Sequence, residues 1–345
     1  MNALSLTRKA QAQVGRRQCL LLAGAAALAA AGATKAQARA RIDLQGHRGA
    51  RGLLPENTLP AFERAMQLGV TTLELDVVPT RDGELVISHD PALNPDITRD
   101  AQGRFLSTTG PDIGSLSLAE LQAYDVGRLR PGSAYGRSFA QQQGLDGVRI
   151  PRLADLFDAV RRSGNTRVRF AIETKIRPDR PQQTPDPEGF AALLLQAIRA
   201  HGMERRVQIL SFDWRTLRAV HHLSPGMPTV CITAQLPSLD NLGIRSGTAS
   251  AWTDGIAYAN HGSVPRMVKA AGASHWSSFW RELDEAQVRE AHGLGLQVLA
   301  WTVNERNAMA RMLDMGIDGL VTDRPDIAIE LLRERGVQWA AGEAA

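Results

Sequence analysis

The alternation of strand and helix patterns is the feature that most limits how this 345-residue chain can fold. Short apolar runs rich in β-branched residues, such as Thr72–Val78 and Val207–Phe212, recur along the sequence, and segments with apolar residues at helical spacing follow them. Repeated strand–helix pairs are typical of βα units, whose strands lie parallel in one sheet. The pattern therefore predicts an α/β fold built on a parallel sheet.

The number of predicted strands distinguishes a closed sheet from an open one. With the short run Leu85–His89 counted as an addition, eight main strands are predicted over about 300 residues, the usual size of a (β/α)₈ TIM-type barrel. A doubly wound open sheet is the alternative, but no Gly-x-Gly-x-x-Gly sequence follows the first strand, and this disfavours it. The main strands are predicted at Ile42–His47, Thr72–Val78, Val168–Thr174, Val207–Phe212, Thr229–Thr233, Gly255–Tyr258, Gln297–Val303 and Gly319–Thr322, and the helices at about 59–68, 188–201, 214–222, 283–293, 305–314 and 326–335.

Residues 91–150 interrupt this alternation, and we call them the insertion. They contain four prolines and many glycine, serine and glutamine residues, with one short helical pattern at Leu118–Tyr124. A long irregular segment within a compact fold is usually a functional loop or a small inserted subdomain. The sequence therefore predicts a barrel with a small insertion after its second strand.

The first 38 residues have the pattern of a leader. They contain five basic residues and no acidic one, the pair Arg16-Arg17 precedes an apolar segment, and the small-residue sequence Ala36-Gln37-Ala38 ends it. This pattern predicts a signal peptide of the twin-arginine type, recognised by the export machinery and then removed. A transmembrane anchor is the alternative, but the apolar run has about 14 residues, against the roughly 20 that span a bilayer. We therefore expect residues 39–345 to form the barrel domain of a periplasmic or secreted protein without a stable membrane anchor.

The net charge of the whole chain suggests a class of partner that the charge distribution does not support. The sequence has 40 Lys and Arg against 36 Asp and Glu, a net charge of +4 and a pI near 9.4, which would suit a nucleic-acid-binding protein. Five of the basic residues belong to the leader, so that 35 basic residues remain against 36 acidic ones. We therefore expect a small-molecule substrate and no nucleic-acid partner.

Carboxylates gather at the ends of two predicted strands. Residues two apart in a strand point to the same face, so Glu74 and Asp76 lie side by side, as do Glu173 and Lys175. Like charges on a buried strand repel and are costly to desolvate unless a cation joins them. A solvated edge strand is the alternative for the first pair, but its flanking residues are those of a buried strand. Three carboxylates without a soft ligand suit one hard divalent cation, Ca²⁺ or Mg²⁺.

Two histidines also follow predicted strands. His47 ends the first strand and His89 ends the short run that begins at Leu85. Taken singly, a histidine is more often a structural or surface residue than a catalyst. The carboxyl ends of the strands, however, are where barrel enzymes carry their active sites. A pair of histidines there suits acid/base chemistry near neutral pH.

Seven short motifs occur in one order along the chain. They are His47-Arg48-Gly49, Pro55-Glu56-Asn57-Thr58, Glu74-Leu75-Asp76-Val77, Ser88-His89-Asp90, Glu173-Thr174-Lys175, Trp301-Thr302-Val303-Asn304 and Thr322-Asp323-Arg324-Pro325. Each motif alone is weak, but seven in order at compatible spacing are highly specific. Together they resemble the glycerophosphodiester phosphodiesterase family, specifically its bacterial, exported members, and the resemblance extends from about Ile42 to Leu332.

The resemblance implies a TIM-type barrel with an insertion and a specific reaction. Members of the family hydrolyse glycerophosphodiesters, which are deacylated phospholipids, to glycerol 3-phosphate and an alcohol. It also implies roles for individual residues: one divalent cation on Glu74, Asp76 and Glu173, an acid/base pair of His47 and His89, and phosphate-facing cations at Arg48 and Lys175.

Three further residues are candidates for substrate binding. Glu56 suits an orienting partner of Arg48 better than a catalyst. Trp301 would form an apolar wall beside the glycerol moiety or belong to the packed barrel core, and both interpretations stay open. Phe212 is a weaker candidate of the same kind.

Two other functions remain as alternatives to glycerophosphodiester hydrolysis. A phosphodiesterase acting on lysophospholipids or other lipid phosphodiesters would need an apolar surface, but the apolar residues of the insertion are scattered among polar ones. A non-catalytic periplasmic protein that binds phosphodiesters would need a histidine or metal-binding carboxylate to be missing, and none is. We therefore expect a soluble phosphodiester substrate and an enzyme.

Overall fold

Residues 41–339 are the part of the chain that this computed structural model describes, and they contain a closed barrel of eight parallel strands. The barrel runs in the order β1, β2, β4, β5, β6, β9, β10 and β11, and pairing of β1 with both β2 and β11 closes it. The predicted (β/α)₈ barrel is confirmed. The strands are β1 Asp43–Gly46, β2 Thr72–Pro79, β3 Leu85–Ile87, β4 Arg169–Thr174, β5 Val207–Ser211, β6 Thr229–Thr233, β7 Gln235–Leu236, β8 Leu239–Asp240, β9 His275–Phe279, β10 Gln297–Trp301 and β11 Gly319–Thr322.

Helices connect the parallel strands and pack with them in one large hydrophobic core. None of the helices within residues 41–339 is long and apolar enough to cross a membrane. The predicted leader, residues 1–38, lies outside the described residues. The helices are α1 Leu59–Leu68, α2 Leu118–Leu121, α3 Ala134–Ser138, α4 Leu153–Arg162, α5 Pro187–Ala200, α6 Trp214–Leu223, α7 Tyr258–His261, α8 Val264–Ala270, α9 Glu285–Gly293, α10 Arg306–Asp314 and α11 Pro325–Glu334.

The predicted strand at Gly255–Tyr258 is wrong. These residues form a turn that leads into α7, and the sixth barrel strand is β9, which begins at His275. The apolar Ile256 packs against the main core from irregular structure, so its hydrophobicity reflects burial and not a strand. Strand β9 was not predicted from sequence, because its buried Ser277 and Ser278 are polar and give no apolar run.

Strand β3 extends the sheet on one side of β2. It pairs antiparallel with the second half of β2, with Val77 opposite Ile87 and Pro79 opposite Leu85. The backbone N–H of Ser88 donates to the carbonyl oxygen of Asp76 at 3.0 Å. This pairing places the next residue, His89, beside the part of β2 that contains Asp76.

The insertion packs against the strands from which it emerges. Its apolar side chains form a small core of their own with one valine from β2 and one from β3. Helix α4, which follows the insertion, was not among the helices predicted from sequence. The buried members of this core are Val78, Val86, Leu93, Ile113, Leu121, Val126 and Ile150.

The two faces of β2 have different neighbours. Leu73, Leu75 and Val77 point outward into the main core, where the helices pack. The interior of the barrel has a separate apolar cluster, formed by Ala171, Leu210, Val230, Ile232 and Leu299. Glu74 and Asp76 occupy the face of β2 opposite to Leu75, so they point toward the barrel interior.

Candidate active site

Three carboxylates meet at the carboxyl ends of β2 and β4. The register pairs Asp76 directly with Glu173, and Glu74 lies on the same face two residues earlier. One oxygen atom from each of the three lies within 4.8 Å of the others, and all three residues are buried. The structure therefore brings together the three residues predicted to hold a metal.

The surroundings shift the pKa values of the three carboxyl groups in different directions. Burial and the nearby Asp76 raise the pKa of Glu74 well above its usual range. Burial also raises the pKa of Glu173, with Asp76 adding to the effect and Lys175 opposing it. Burial opposes ionisation of Asp76 too, but Lys175 and other cations hold its pKa well below the usual range. Clustered, buried oxygen ligands with this excess of negative charge fit a hard divalent cation.

Two cationic side chains border the cluster. The Nζ atom of Lys175 lies 2.8 Å from Oε1 of Glu173 and 3.4 Å from Oδ1 of Asp76. Arg48 donates from its backbone N–H to Oε2 of Glu74 at 2.8 Å, and its Nη1 donates to Oε1 of Glu56 at 2.7 Å. The Arg48 guanidinium therefore lies between Glu56 and Asp76, whose Oδ2 is 3.4 Å from Nε of Arg48.

The loop after β1 has the backbone geometry that this contact requires. Arg48 has a φ of 50° and Asn57 a φ of 56°, both in the left-handed region. Gly49 has a φ of 86°, and a Cβ atom there would lie 2.8 Å from the carbonyl carbon of Ala61 in α1. Only glycine fits so close to the helix. The side chain of Asn57 donates from Nδ2 to Oδ2 of Asp76 at 2.9 Å, so the same loop also orients a carboxylate.

His47 lies between the carboxylate cluster and the last strand. Its Nε2 is 3.9 Å from Oε2 of Glu74, and its Nδ1 is 2.7 Å from Oδ1 of Asp323. Burial and the Arg51 guanidinium lower the pKa of His47 to about 4, although Asp323 opposes the shift. The imidazole is therefore neutral at pH 7 and can accept a proton.

His89 has a carboxylate partner of its own. Its Nδ1 lies 2.8 Å from Oδ1 of Asp90, and Asn94 donates to the other oxygen of that carboxylate at 2.8 Å. Burial lowers the pKa of His89, and the charges of Arg48 and Lys175 lower it further. Both predicted acid/base residues thus lie near Arg48, at the ends of β1 and β3.

Trp301 and Phe212 lie in a different part of the barrel mouth, at the ends of β10 and β5. Their rings meet edge to face with centroids 5.5 Å apart, and Phe279 at the end of β9 lies 5.6 Å from the Trp301 ring. The indole N–H of Trp301 donates to the carbonyl oxygen of Ser277 at 3.2 Å. All three rings are only partly buried. They form what we call the aromatic cluster.

A buried carboxylate cluster bordered by cations and two histidines at the mouth of a barrel can bind and cleave a phosphodiester. Comparison with known proteins identifies the family. The model of the glycerophosphoryl diester phosphodiesterase family matches residues 47–327. The chain belongs to this family.

Relatives and solved structures agree with this assignment. The glycerophosphodiester phosphodiesterase of Caldanaerobacter subterraneus is 29% identical, and the alignment covers 84% of this chain and 97% of the relative. The crystal structure of a candidate glycerophosphoryl diester phosphodiesterase of Silicibacter pomeroyi DSS-3 is 34% identical, with a TM-score of 0.77 and coverage of 87% and 96%. A phosphodiesterase of Oleispira antarctica, solved with its product sn-glycerol 3-phosphate, has the same fold at 22% identity, a TM-score of 0.61 and coverage of 84% and 96%.

Membership in the glycerophosphoryl diester phosphodiesterase family confirms that the chain is an enzyme. A non-catalytic binding protein is therefore not favoured. At the candidate site, sequence patterns gave no role to Arg51 or Tyr135, and Asn57 and Asp323 appeared only as parts of motifs. Asp323 follows the last strand, so the rule that selected the other strand-end residues would have selected it too. No sequence signal marked Tyr135, which reaches the site from the insertion.

Proposed function

We propose that this chain hydrolyses glycerophosphodiesters to glycerol 3-phosphate and an alcohol, with one divalent cation bound by Glu74, Asp76 and Glu173. The observation that supports this most strongly is the buried carboxylate cluster beside Arg48 and Lys175 in a member of this family. The named relatives act on glycerophosphodiesters, and the Oleispira antarctica structure contains glycerol 3-phosphate. These findings support a small phosphodiester as the substrate.

Arg48 and Lys175 are the residues we assign to the phosphate group. Their side chains are only 9% and 11% exposed and lie close to the carboxylates, so their positions are fixed before the substrate binds. A phosphodiester gains negative charge on its non-bridging oxygens during displacement, and fixed cations stabilise that charge without reorganising. A bound Ca²⁺ or Mg²⁺ would add a Lewis acid for the same oxygens.

His47 and His89 are the residues we assign to proton transfer. One accepts the proton of the attacking hydroxyl group, and the other donates a proton to the departing alkoxide. An alkoxide is a poor leaving group without this proton. Acid/base assistance of this kind is typically worth on the order of 10²–10⁴ in rate.

We also propose that residues 1–38 are a twin-arginine signal peptide and that residues 39–345 act in the periplasm or outside the cell. The support for this proposal is the sequence pattern of the leader. Edman sequencing of the mature protein from a native host tests it. A mature N-terminus close to Arg39 supports the proposal, and retention of Met1 on a cytoplasmic protein refutes it.

The activity is tested by measuring glycerol 3-phosphate release from a panel of glycerophosphodiesters with different alcohol groups. We expect release to stop on treatment with EDTA and to return on addition of Ca²⁺ or Mg²⁺, and the more effective ion at equal concentration identifies the cofactor. Lysophospholipids in the same panel test the lipid alternative. Absence of release from every glycerophosphodiester with either metal would refute the proposal.

A further inference from the structure

Asp323, the carboxylate beside His47, is held in place from several sides. It follows β11 and lies 276 residues from His47 in the chain. Arg51 donates from Nε to its Oδ1 at 2.8 Å and from Nη2 to its Oδ2 at 3.0 Å, while Asn304 donates from Nδ2 to Oδ2 at 2.7 Å. Asp323 is only 1% exposed. Its position is therefore fixed independently of any substrate.

The orientation of the Asn304 amide is fixed as well. Its Oδ1 accepts from the backbone N–H of Asp323 at 2.9 Å and from the Thr322 hydroxyl at 3.2 Å. The amide nitrogen must therefore face the carboxylate, which makes it a donor there. Each oxygen of Asp323 thus accepts at least one hydrogen bond besides its contact with His47.

This arrangement determines which nitrogen of His47 has the proton. Burial opposes ionisation of Asp323, but Arg51 holds its pKa well below the usual range, so the carboxylate is ionised. A ring nitrogen 2.7 Å from an ionised carboxylate must donate a hydrogen bond to it. Nη2 of Arg51 also approaches Nδ1, but at 3.2 Å. The shorter contact with a full negative charge places the proton on Nδ1.

The other nitrogen of His47 then has a lone pair directed at the carboxylate cluster. Its Nε2 lies 3.9 Å from Oε2 of Glu74. The proposed substrate phosphate binds at this cluster, so Nε2 faces the place where an attacking hydroxyl group would lie. In the opposite tautomer, Nε2 would present an N–H there and could not accept a proton.

We propose that Asp323 and Arg51 are positioning residues that hold His47 in the Nδ1–H form and so make its Nε2 the proton acceptor in the reaction. This proposal rests on the proposed function, in which the two histidines divide the acid and base roles. The attacking oxygen forms its bond to phosphorus as its proton passes to Nε2 of His47. The bond to the departing oxygen breaks, and that oxygen takes a proton from His89. The His47 imidazolium keeps its hydrogen bond to Asp323.

The insertion supports this arrangement through Arg51. The guanidinium carbon of Arg51 lies 4.5 Å from the centroid of the Phe139 ring. Its Nη1 donates to the hydroxyl oxygen of Tyr135, in α3, at 3.2 Å, and that hydroxyl donates to Glu56. Residues of the insertion therefore stabilise the cation that fixes Asp323.

The main test is Asp323→Asn, which keeps the shape of the side chain but removes its charge. We expect kcat to fall on the order of 10²–10⁴-fold, the size of lost acid/base assistance, with a much smaller change in KM. Two-bond ¹H–¹⁵N NMR of histidine-labelled protein should show the proton of His47 leaving Nδ1. Asp318→Asn is the matched control, because Asp318 lies 2.9 Å from Nε2 of His292 at the opposite end of β11. It should leave kcat and the His47 signals unchanged.

A milder variant tests the contribution of the insertion. Phe139→Leu should lower kcat by roughly two- to fivefold, the size expected for loss of one cation–π contact. Phe105→Leu is its control, because Phe105 stacks on Arg130 at 5.3 Å within the same insertion. It should have no such effect on kcat.

Three results would overturn the positioning role. The first is wild-type kcat in Asp323→Asn. The second is a reduced kcat with His47 still protonated at Nδ1, since Asp323 would then act in another way. The third is full additivity of His47→Ala and Asp323→Asn, because residues that act as one unit are not additive. A wild-type protein that releases no glycerol 3-phosphate would refute the proposed function instead, and the NMR signature is measured independently of that activity.

Discussion

The two halves of the barrel mouth differ in how they are built. The half formed by the ends of β1, β2, β4 and β11 has charged residues, and each of them depends on a partner of opposite charge or on a hydrogen bond. The half formed by the ends of β5, β9 and β10 has the aromatic cluster, whose rings meet edge to face or at a tilt. We call them the charged half and the aromatic half.

The difference indicates that the charged half serves the reaction and the aromatic half serves substrate binding. Charges in a buried site act strongly and with strict geometry, so a single substitution in the charged half should abolish the reaction. Apolar surfaces act in proportion to contact area, so substitutions in the aromatic half should weaken substrate binding gradually. The predictions below test this division, beginning with the largest effect.

Glu74→Gln should have the largest effect on metal binding and activity. Loss of a direct ligand should weaken metal affinity by more than the roughly 10–100-fold that loss of an outer partner costs. The variant should nevertheless melt no lower than the wild type in EDTA, because Glu74 repels Asp76 and is costly to ionise in the metal-free protein. Isothermal titration calorimetry and thermal melts measure the two quantities. Glu84→Gln, next to β3 but outside the cluster, is the control, and a large destabilisation of Glu74→Gln in EDTA would contradict the prediction.

His89→Ala should lower kcat on the order of 10²–10⁴-fold while metal affinity changes little. The His89 side chain contacts Asp90 and is not among the three residues predicted to bind the metal. Its removal therefore leaves those ligands in place. Steady-state kinetics and metal titration check the two parts. The exposed His222 provides the control substitution. Wild-type activity in His89→Ala would remove this residue from the reaction.

Metal affinity should weaken as the pH falls toward the acidic range. Burial raises the pKa of both Glu74 and Glu173, so the metal must displace protons from them at mildly acidic pH. The metal-free protein should show the opposite trend. Above about pH 4.5, their ordinary pKa, these two groups hold more protons in the folded state than in the unfolded chain, so they lower the free energy of unfolding as the pH rises. The lowered pKa values of His47 and His89 have the opposite effect below about pH 6.5, the ordinary histidine value, so the slope is measured above that pH. Thermal melts at several pH values, with metal and with EDTA, should show the two opposite slopes, and parallel slopes would contradict the shifts.

Trp301→Leu should have the smallest effect of the four. If the aromatic half binds the substrate by contact area, KM should rise roughly three- to tenfold, while kcat stays within about twofold. Trp339→Leu is the matched control, because that ring stacks on Arg333 and its indole N–H donates to the carbonyl oxygen of Gly69 at 3.1 Å, outside the cluster. A fall in kcat comparable to that of His89→Ala would contradict the prediction that the aromatic half affects substrate binding and not the reaction step.

Strand ends were the part of the molecule that could be predicted from sequence. Buried parallel strands give apolar runs, and polar residues within such a run or directly after it are conspicuous. Glu74, Asp76 and Glu173 were found in this way, and the structure brings them together. The search for apolar runs did not detect β9, because its buried Ser277 and Ser278 are polar.

Contacts between distant segments could not be predicted in the same way. Tyr135 lies in the insertion, where no periodicity relates its position to the barrel, yet its hydroxyl contacts both Arg51 and Glu56. Asp323 satisfied the strand-end rule, but its pairing with His47 depends on closure of the barrel. These contacts arise from tertiary packing, which a single sequence does not show.

Closure of the barrel between β1 and β11 has a consequence for the order of synthesis. His47 leaves the ribosome early in synthesis, whereas Asp323 leaves it 276 residues later. A growing chain that ends before β11 has an unpaired edge at β1 and no carboxylate for Nδ1 of His47. Premature termination before β11 therefore removes the partner strand of β1 and the carboxylate beside His47 as well as helix α11. The contact between His47 and Asp323 forms only when β11 pairs with β1.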